Sequence, residues 1–221
     1  MAKQTNKKDD LEIQEALTTS GQWIIKNQNI ISWCVTGVVL VILAIMAFNN
    51  FYLKPKNIEA QNAVGKAVVY FSHQQYELAL EGNDDFDGFE QIASDYSIVQ
   101  GGKTAALYAG LCYYNMGQYE EAIKYLKKYN GSDVNIAPAA LMKTGDAYAQ
   151  LDETEKAVKY FNKAAKSGNE LIAPIALKKS GLAYLELGNN KAAKNAFETI
   201  KTKYISSAEA QDIDKYISLA Q

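Results

Sequence analysis

ALYAGLCYYNMGQYEEAIKYL, residues 106–126, is matched twice further along the chain, by LMKTGDAYAQLDETEKAVKYF at 141–161 and LKKSGLAYLELGNNKAAKNAF at 177–197. In each copy a glycine (Gly110, Gly145, Gly181) stands three residues before a tyrosine (Tyr113, Tyr148, Tyr184). An alanine follows each glycine at twelve (Ala122, Ala157, Ala193), and a large apolar residue at sixteen (Leu126, Phe161, Phe197). The glycines are 35 and 36 residues apart, and turn signals fall between the halves of each copy at Met116-Gly117, Leu151-Asp152 and Leu187-Gly188. An offset of three keeps glycine and tyrosine on one turn of a helix, whereas twelve and sixteen cross to a second helix. The small glycine and alanine let paired helices approach closely, and the tyrosine and Leu/Phe places fill the space between neighbouring pairs. Residues 103–207 are therefore predicted to be three stacked helical hairpins.

Outward from these copies, residues 57–100 read as a degenerate first repeat. Ala67, Tyr70 and Ala79 keep the offsets of three and twelve, but Asn83 takes the sixteenth place. An acidic insertion follows, Glu81 to Gly88, and residues 89–96 (FEQIASDY) supply a replacement second helix. Asp84, Asp85 and Asp87 do not follow a calcium-loop register, which requires glycine at its sixth place and glutamate at its twelfth; a solvated acidic loop is expected. Gly101-Gly102 reads as a linker. Residues 208–221 place Ala210, Ile213, Ile217 and Ala220 on one face, as expected of a capping helix.

Toward the N-terminus, Ile30 to Phe48 (IISWCVTGVVLVILAIMAF) is nineteen residues without a charge. A helix of that length nearly crosses a hydrocarbon core of about 30 Å. Lys26, Lys54 and Lys56 flank it, with Trp33 and Tyr52 near its ends. Residues 29–53 are therefore read as a single uncleaved transmembrane anchor. Lysines at 3, 7, 8 and 26 precede it, which favours a cytoplasmic N-terminus and a C-terminal domain across the membrane. Within the tail, 1–28, residues 11–26 form either a short amphipathic helix or a polar lead-in.

The composition argues against several function classes. All 23 basic residues are lysine, the net charge is −2, and nothing suggests a nucleic-acid partner. His73 is the single histidine, and Cys34 and Cys112 fall in the anchor and in a repeat helix, so neither a disulfide, a zinc site nor a Cys-His nucleophile is expected. No Gly-rich phosphate loop is present. The chain is read as having no catalytic residues, cofactor, metal or small-molecule substrate, and as acting by binding other proteins.

The order Gly, Tyr, Ala, Phe at these offsets resembles the tetratricopeptide repeat. That resemblance implies an all-α solenoid behind the N-terminal span, closed by the capping helix, with a concave groove lined by the first helices. The matching groove places here are Val64, Val68 and Phe71; Leu107, Leu111 and Tyr114; Met142, Asp146 and Ala149; and Lys178, Leu182 and Leu185. Members that clamp an acidic C-terminal tail use Lys and Asn where Leu107 and Leu111 stand. A mostly apolar groove for a hydrophobic or amphipathic segment is expected instead, either open or covered by the chain's own terminal helix. The layout of short tail, single span and repeat domain resembles the ancillary SecYEG translocon subunit (YfgM-like) family. The resemblance implies a bacterial inner-membrane protein with a periplasmic repeat domain that meets the translocon, periplasmic chaperones or exported clients. A scaffold of an envelope assembly or division machine is the alternative.

Overall fold

A computed structural model describes residue 21 and residues 23–221, in two compact units that meet in sequence between Lys54 and Pro55. The reading of residues 11–26 as an amphipathic helix lies largely outside the described residues. In the first unit, α1 (Gln28–Phe48) runs into one π-helical stretch, Asn49–Leu53. None of its residues is buried, and among the described residues it begins the one helix long and apolar enough to cross a membrane.

The second unit is built from helical hairpins in sequence order. The first repeat comprises α2 (Lys54–Ser72), α3 (Tyr76–Glu81) and α4 (Phe89–Asp95). Three regular pairs follow: α5 (Gln100–Asn115) with α6 (Tyr119–Leu126), α7 (Ile136–Gln150) with α8 (Thr154–Ala165), and α9 (Ile172–Glu186) with α10 (Asn190–Lys203). A 3-10 turn, Ala208–Ala210, leads into the short α11 (Ile213–Leu219). From α4 onward each helix packs most extensively on a sequence neighbour, as expected of a solenoid.

All four hairpins turn in the same way. Gln74, Gly117, Asp152 and Gly188 have φ of 60°, 77°, 58° and 70°. The amide after each bonds back to a repeat tyrosine carbonyl: Gln75 to Tyr70, Gln118 to Tyr113, Glu153 to Tyr148 and Asn189 to Tyr184, at 3.0, 2.9, 3.0 and 2.8 Å. This left-handed ending satisfies carbonyls that the helix end would orphan. The tyrosine place thus contributes its backbone to the turn and its ring to the packing.

The three glycines have a common role. A Cβ on Gly110 would lie 2.7 Å from Leu126 Cγ, one on Gly145 2.6 Å from Phe161 Cε1, and one on Gly181 2.3 Å from Phe197 Cε1. The residue at the sixteenth place therefore sits directly on the glycine of its own repeat. Ala122, Ala157 and Ala193 are fully buried, and the carbonyl of Ala157 lies 3.2 Å from where a Gly145 Cβ would be. The tyrosine rings close the gaps. Tyr113 stacks on Tyr125 and Tyr148 on Tyr160, at 5.4 and 5.3 Å, while Tyr184 Oη accepts from Asn162 Nδ2 at 2.9 Å. Both Tyr113 and Tyr125 donate to Glu90 Oε1 at 2.6 Å, tying the second repeat to α4.

The first repeat departs from the loop expected after α3. Gly82–Asn83 pairs antiparallel with Phe86–Asp87 in a two-stranded hairpin, which buries Phe86 and stacks it on Tyr70 at 4.5 Å. Phe86 thereby supplies the apolar bulk that Asn83 lacks. Gly101-Gly102 is not a free linker either. The Gly101 amide donates to Asn57 Oδ1 at 2.8 Å, and Cβ atoms on the two glycines would strike Ala60 and the Tyr96 carbonyl. The start of α5 is pressed onto α2 and α4, and only residues without a side chain fit there. At the far end, Ile213 and Ala220 are buried against Phe197 and Ile200, with Ala210 and Ile217 beside them.

Two outcomes are expected. Gly181→Ala and Ala157→Leu should each destabilise the protein by roughly 1–3 kcal/mol through overpacking, read by denaturant unfolding; Gln74→Gly, which relieves an L-residue held at φ 60°, should instead stabilise it by up to about 1 kcal/mol. Burial pushes the Cys112 thiol up to about 12, so at neutral pH it should react with a water-soluble disulfide reagent only when the protein is unfolded. Labelling of Cys112 in the folded chain would contradict its burial.

Candidate protein-binding groove

The first helices of the regular repeats, α5, α7 and α9, flank a concave cavity of about 280 Å³. Tyr114 comes from α5, Asp146, Ala149 and Gln150 from α7, Phe161 from α8, and Lys179, Leu182, Ala183 and Glu186 from α9. Tyr114 and Ala149 stand four residues after their glycine, and Asp146 and Leu182 one after, about 40° and 100° round the helix from it, so they flank the face on which the second helix packs and line one hollow.

Its charges are matched internally. Lys179 Nζ donates to Asp146 Oδ1 at 2.8 Å, and Lys143 Nζ lies 3.4 Å from Asp146 Oδ2. The Asp146 side chain is only 11% exposed, so these bonds are partly shielded from water. Lys143 also lies 4.3 Å from the centre of the Tyr114 ring. Burial, then the nearby Asp146 carboxylate and Tyr119, push the Tyr114 phenol above its ordinary range, so it stays protonated near neutral pH. Glu186 accepts from Thr154 Oγ1 at 3.1 Å. Two lysines and two carboxylates leave the hollow near neutrality over a floor of Tyr114, Ala149, Leu182 and Ala183.

The other expected groove positions have different settings. Val64 is buried in the first core cluster and offers no surface, a correction to its expected place; Val68 and Phe71 pack against the same cluster. Phe71 meets Tyr76, Phe89 and Tyr108 edge-on at 5.6, 6.4 and 5.2 Å. The split second helix and hairpin draw this end of α2 into the core. Leu107 and Leu111 are half-buried on α5. Met142, like Tyr114, packs against the second cluster. Leu182 is 42% exposed, the most open large apolar side chain in the hollow. At the C-terminal end the groove is covered by the cap: Lys178 donates to Asp212 Oδ1 at 2.8 Å and lies over the Tyr216 ring, and Leu185 packs with the cap residues.

Lys143, Lys179 and Glu186 were absent from the sequence-based set. Lys179 is two residues before Gly181 and meets Asp146 at Gly+1 of the preceding repeat, 33 residues away. A charge of opposite sign recurring near the repeat spacing is the signal that locates it. Among the described residues, no cluster of His, Cys, Asp and Glu is arranged to hold a metal ion.

Residues 104–130 and 176–204 match one tetratricopeptide repeat family profile and residues 138–167 another. No curated protein sequence matches the chain significantly. Two crystal structures of MamA are similar in fold, each at 20% identity and TM-score 0.52, covering 70% and 76% of this chain and 91% of those. A Podosopora anserina protein with nearly identical TPR-like repeats is similar at 14% identity and TM-score 0.55, covering 73% of this chain and 84% of that one. At these identities the likeness speaks to fold alone. Residues 104–130, 138–167 and 176–204 thus match tetratricopeptide repeats, and the repeat unit has the fold of a tetratricopeptide solenoid.

Proposed function

We propose that this chain is a membrane-anchored adaptor whose groove holds an apolar or amphipathic segment of another protein. The observation that carries the reading is the hollow between α5, α7 and α9, apolar on its floor, internally neutral, and open at Leu182. A carboxylate tail would need unpaired cations, and Lys143 and Lys179 are already committed to Asp146. An apolar segment needs only the floor and the rim amide of Gln150.

In this reading α1 spans the inner membrane, the N-terminus is cytoplasmic and the repeats are periplasmic. The layout shared with the ancillary SecYEG translocon subunit family suggests that the held segment belongs to the translocon, an exported chain or a periplasmic chaperone. A scaffold in an envelope assembly or division machine would use the same groove for a fixed partner. Copurification from detergent-solubilised membranes separates the two: translocon subunits are expected with the first, a single assembly component with the second.

Leu182→Asp should change stability by less than about 0.5 kcal/mol, because its side chain is largely at the surface. It should nonetheless reduce photo-crosslinking of partners from position 111 in cells, since a bound apolar segment would have to desolvate the new carboxylate. Unchanged crosslinking would remove the groove from the binding reaction. External protease on spheroplasts should digest the repeats while the membrane is intact; protection until lysis would place them in the cytoplasm.

A further inference from the structure

Asn130 is the one asparagine of the chain that a glycine follows, and it stands in the connection between α6 and α7. The last amide tied to α6 is that of Tyr129, bonded to the Leu126 carbonyl at 3.2 Å. Bonding resumes at Asp133, whose carboxylate accepts from the amides of Asn135 and Ile136, both at 2.9 Å. Residues 130–133 between them take no regular structure, and the Asn130 side chain is exposed. Among the described residues, neither the Gly131 N–H nor the Asn130 carboxamide has a hydrogen-bond partner.

Packing explains why glycine follows it. Tyr129 is turned inward and buried, its hydroxyl hydrogen-bonded to Gln100. The Gly131 backbone lies against that ring, and a Cβ there would strike the Tyr129 hydroxyl. A residue without a side chain keeps the ring in place, and the same absence leaves the amide nitrogen of residue 131 unobstructed beside the Asn130 carboxamide. Other asparagines are held. Asn115 is exposed too, but it ends α5, and the amide after it is bonded to the Cys112 carbonyl at 3.0 Å. Asn169 also lies in a connection, yet its Nδ2 donates to the Val134 carbonyl at 3.0 Å and its Oδ1 accepts from the Leu171 and Ile172 amides at 2.9 Å.

We propose that Asn130 is a site of spontaneous covalent modification, at which a neutral carboxamide becomes a carboxylate while the repeat unit stays folded. The Gly131 nitrogen attacks Cγ of Asn130. The N–Cγ bond forms as the Cγ–Nδ2 bond breaks, and the Gly131 amide proton leaves with Nδ2 as ammonia. Water then opens the cyclic imide at either carbonyl, giving aspartate or, where the chain now runs through Cγ, isoaspartate. The net reaction consumes water and releases ammonia, and it needs no other reactant. The new charge falls where it is tolerated. Asn130 and Gly131 border a cavity of about 360 Å³ whose charged lining residues are Lys127 and Lys163, with no Asp or Glu among them. A carboxylate at 130 therefore meets cations and water, not a like charge or an apolar wall.

The test incubates the full chain in detergent micelles in mildly alkaline buffer and follows its tryptic peptides by mass spectrometry, among them 129–143, which Lys128 and Lys143 delimit. Residue 130 is expected to convert about tenfold faster or more than Asn115 and Asn169, since glycine alone leaves the attacking amide open. The isoaspartyl form should outweigh the aspartyl one, and Asn130→Gln should abolish the early release of ammonia. Conversion at 130 no faster than at Asn115 would overturn the proposal. So would conversion that becomes rapid only in urea, because the fold would then be holding the amide away from Cγ. Asn130→Asp carries the charge of the product without the altered backbone, and it is expected to unfold at the same midpoint as the parent. A lowered midpoint would show that the connection rejects the carboxylate, and the folded modified state would be ruled out.

Discussion

The repeat unit depends on a missing atom. At Gly110, Gly145 and Gly181 the first helix of a pair has no Cβ, and the Leu or Phe sixteen residues on lies against its backbone. Each second helix returns the small face with a fully buried alanine. Close approach over two short helices lets a hairpin of about thirty residues bury a core, and stacking extends that core from one hairpin to the next. The left-handed turn, closed on the carbonyl of the repeat tyrosine, holds the pair at the angle the contact requires.

The groove is a consequence of the same contact. The glycine face of each first helix is committed to its own hairpin, and positions one and four residues later, which flank that face, line the hollow. What fills them decides what the hollow can accept. Tyr114 and Leu182 make it apolar, and Asp146 with Lys143 and Lys179 forms a closed set of charges. Such a set gives orientation without net attraction for ions, which favours segments that bring apolar surface and few charges.

The ends of the array are finished differently. At the start, Phe86 of a small hairpin stacks on Tyr70, and Asn57 accepts from the Gly101 amide near the start of α5. At the other end, α11 buries Ile213 and pairs Asp212 with Lys178, covering the last groove position. Both devices hide apolar faces that a further repeat would otherwise cover. The connections between hairpins receive no such cover, and Ile98, Val134, Leu171 and Ile205 remain exposed there.

The sequence by itself determined the repeat, its three regular copies, the turn positions and the long apolar helix near the N-terminus. These follow from local spacing, since offsets of three, twelve and sixteen and an uncharged run can be counted along one chain. Tertiary structure decided the rest. Val64 carries the same apolar character as an open groove residue, and only the packing of α2 on the split second helix buries it. Gly101-Gly102 looks like a linker until Asn57, 44 residues earlier, is seen to receive its amide. The pairing of Asp146 with Lys179, and that of Asn169 with the Val134 carbonyl, join residues from different repeats. Such relations depend on how hairpins stack, which no local pattern encodes.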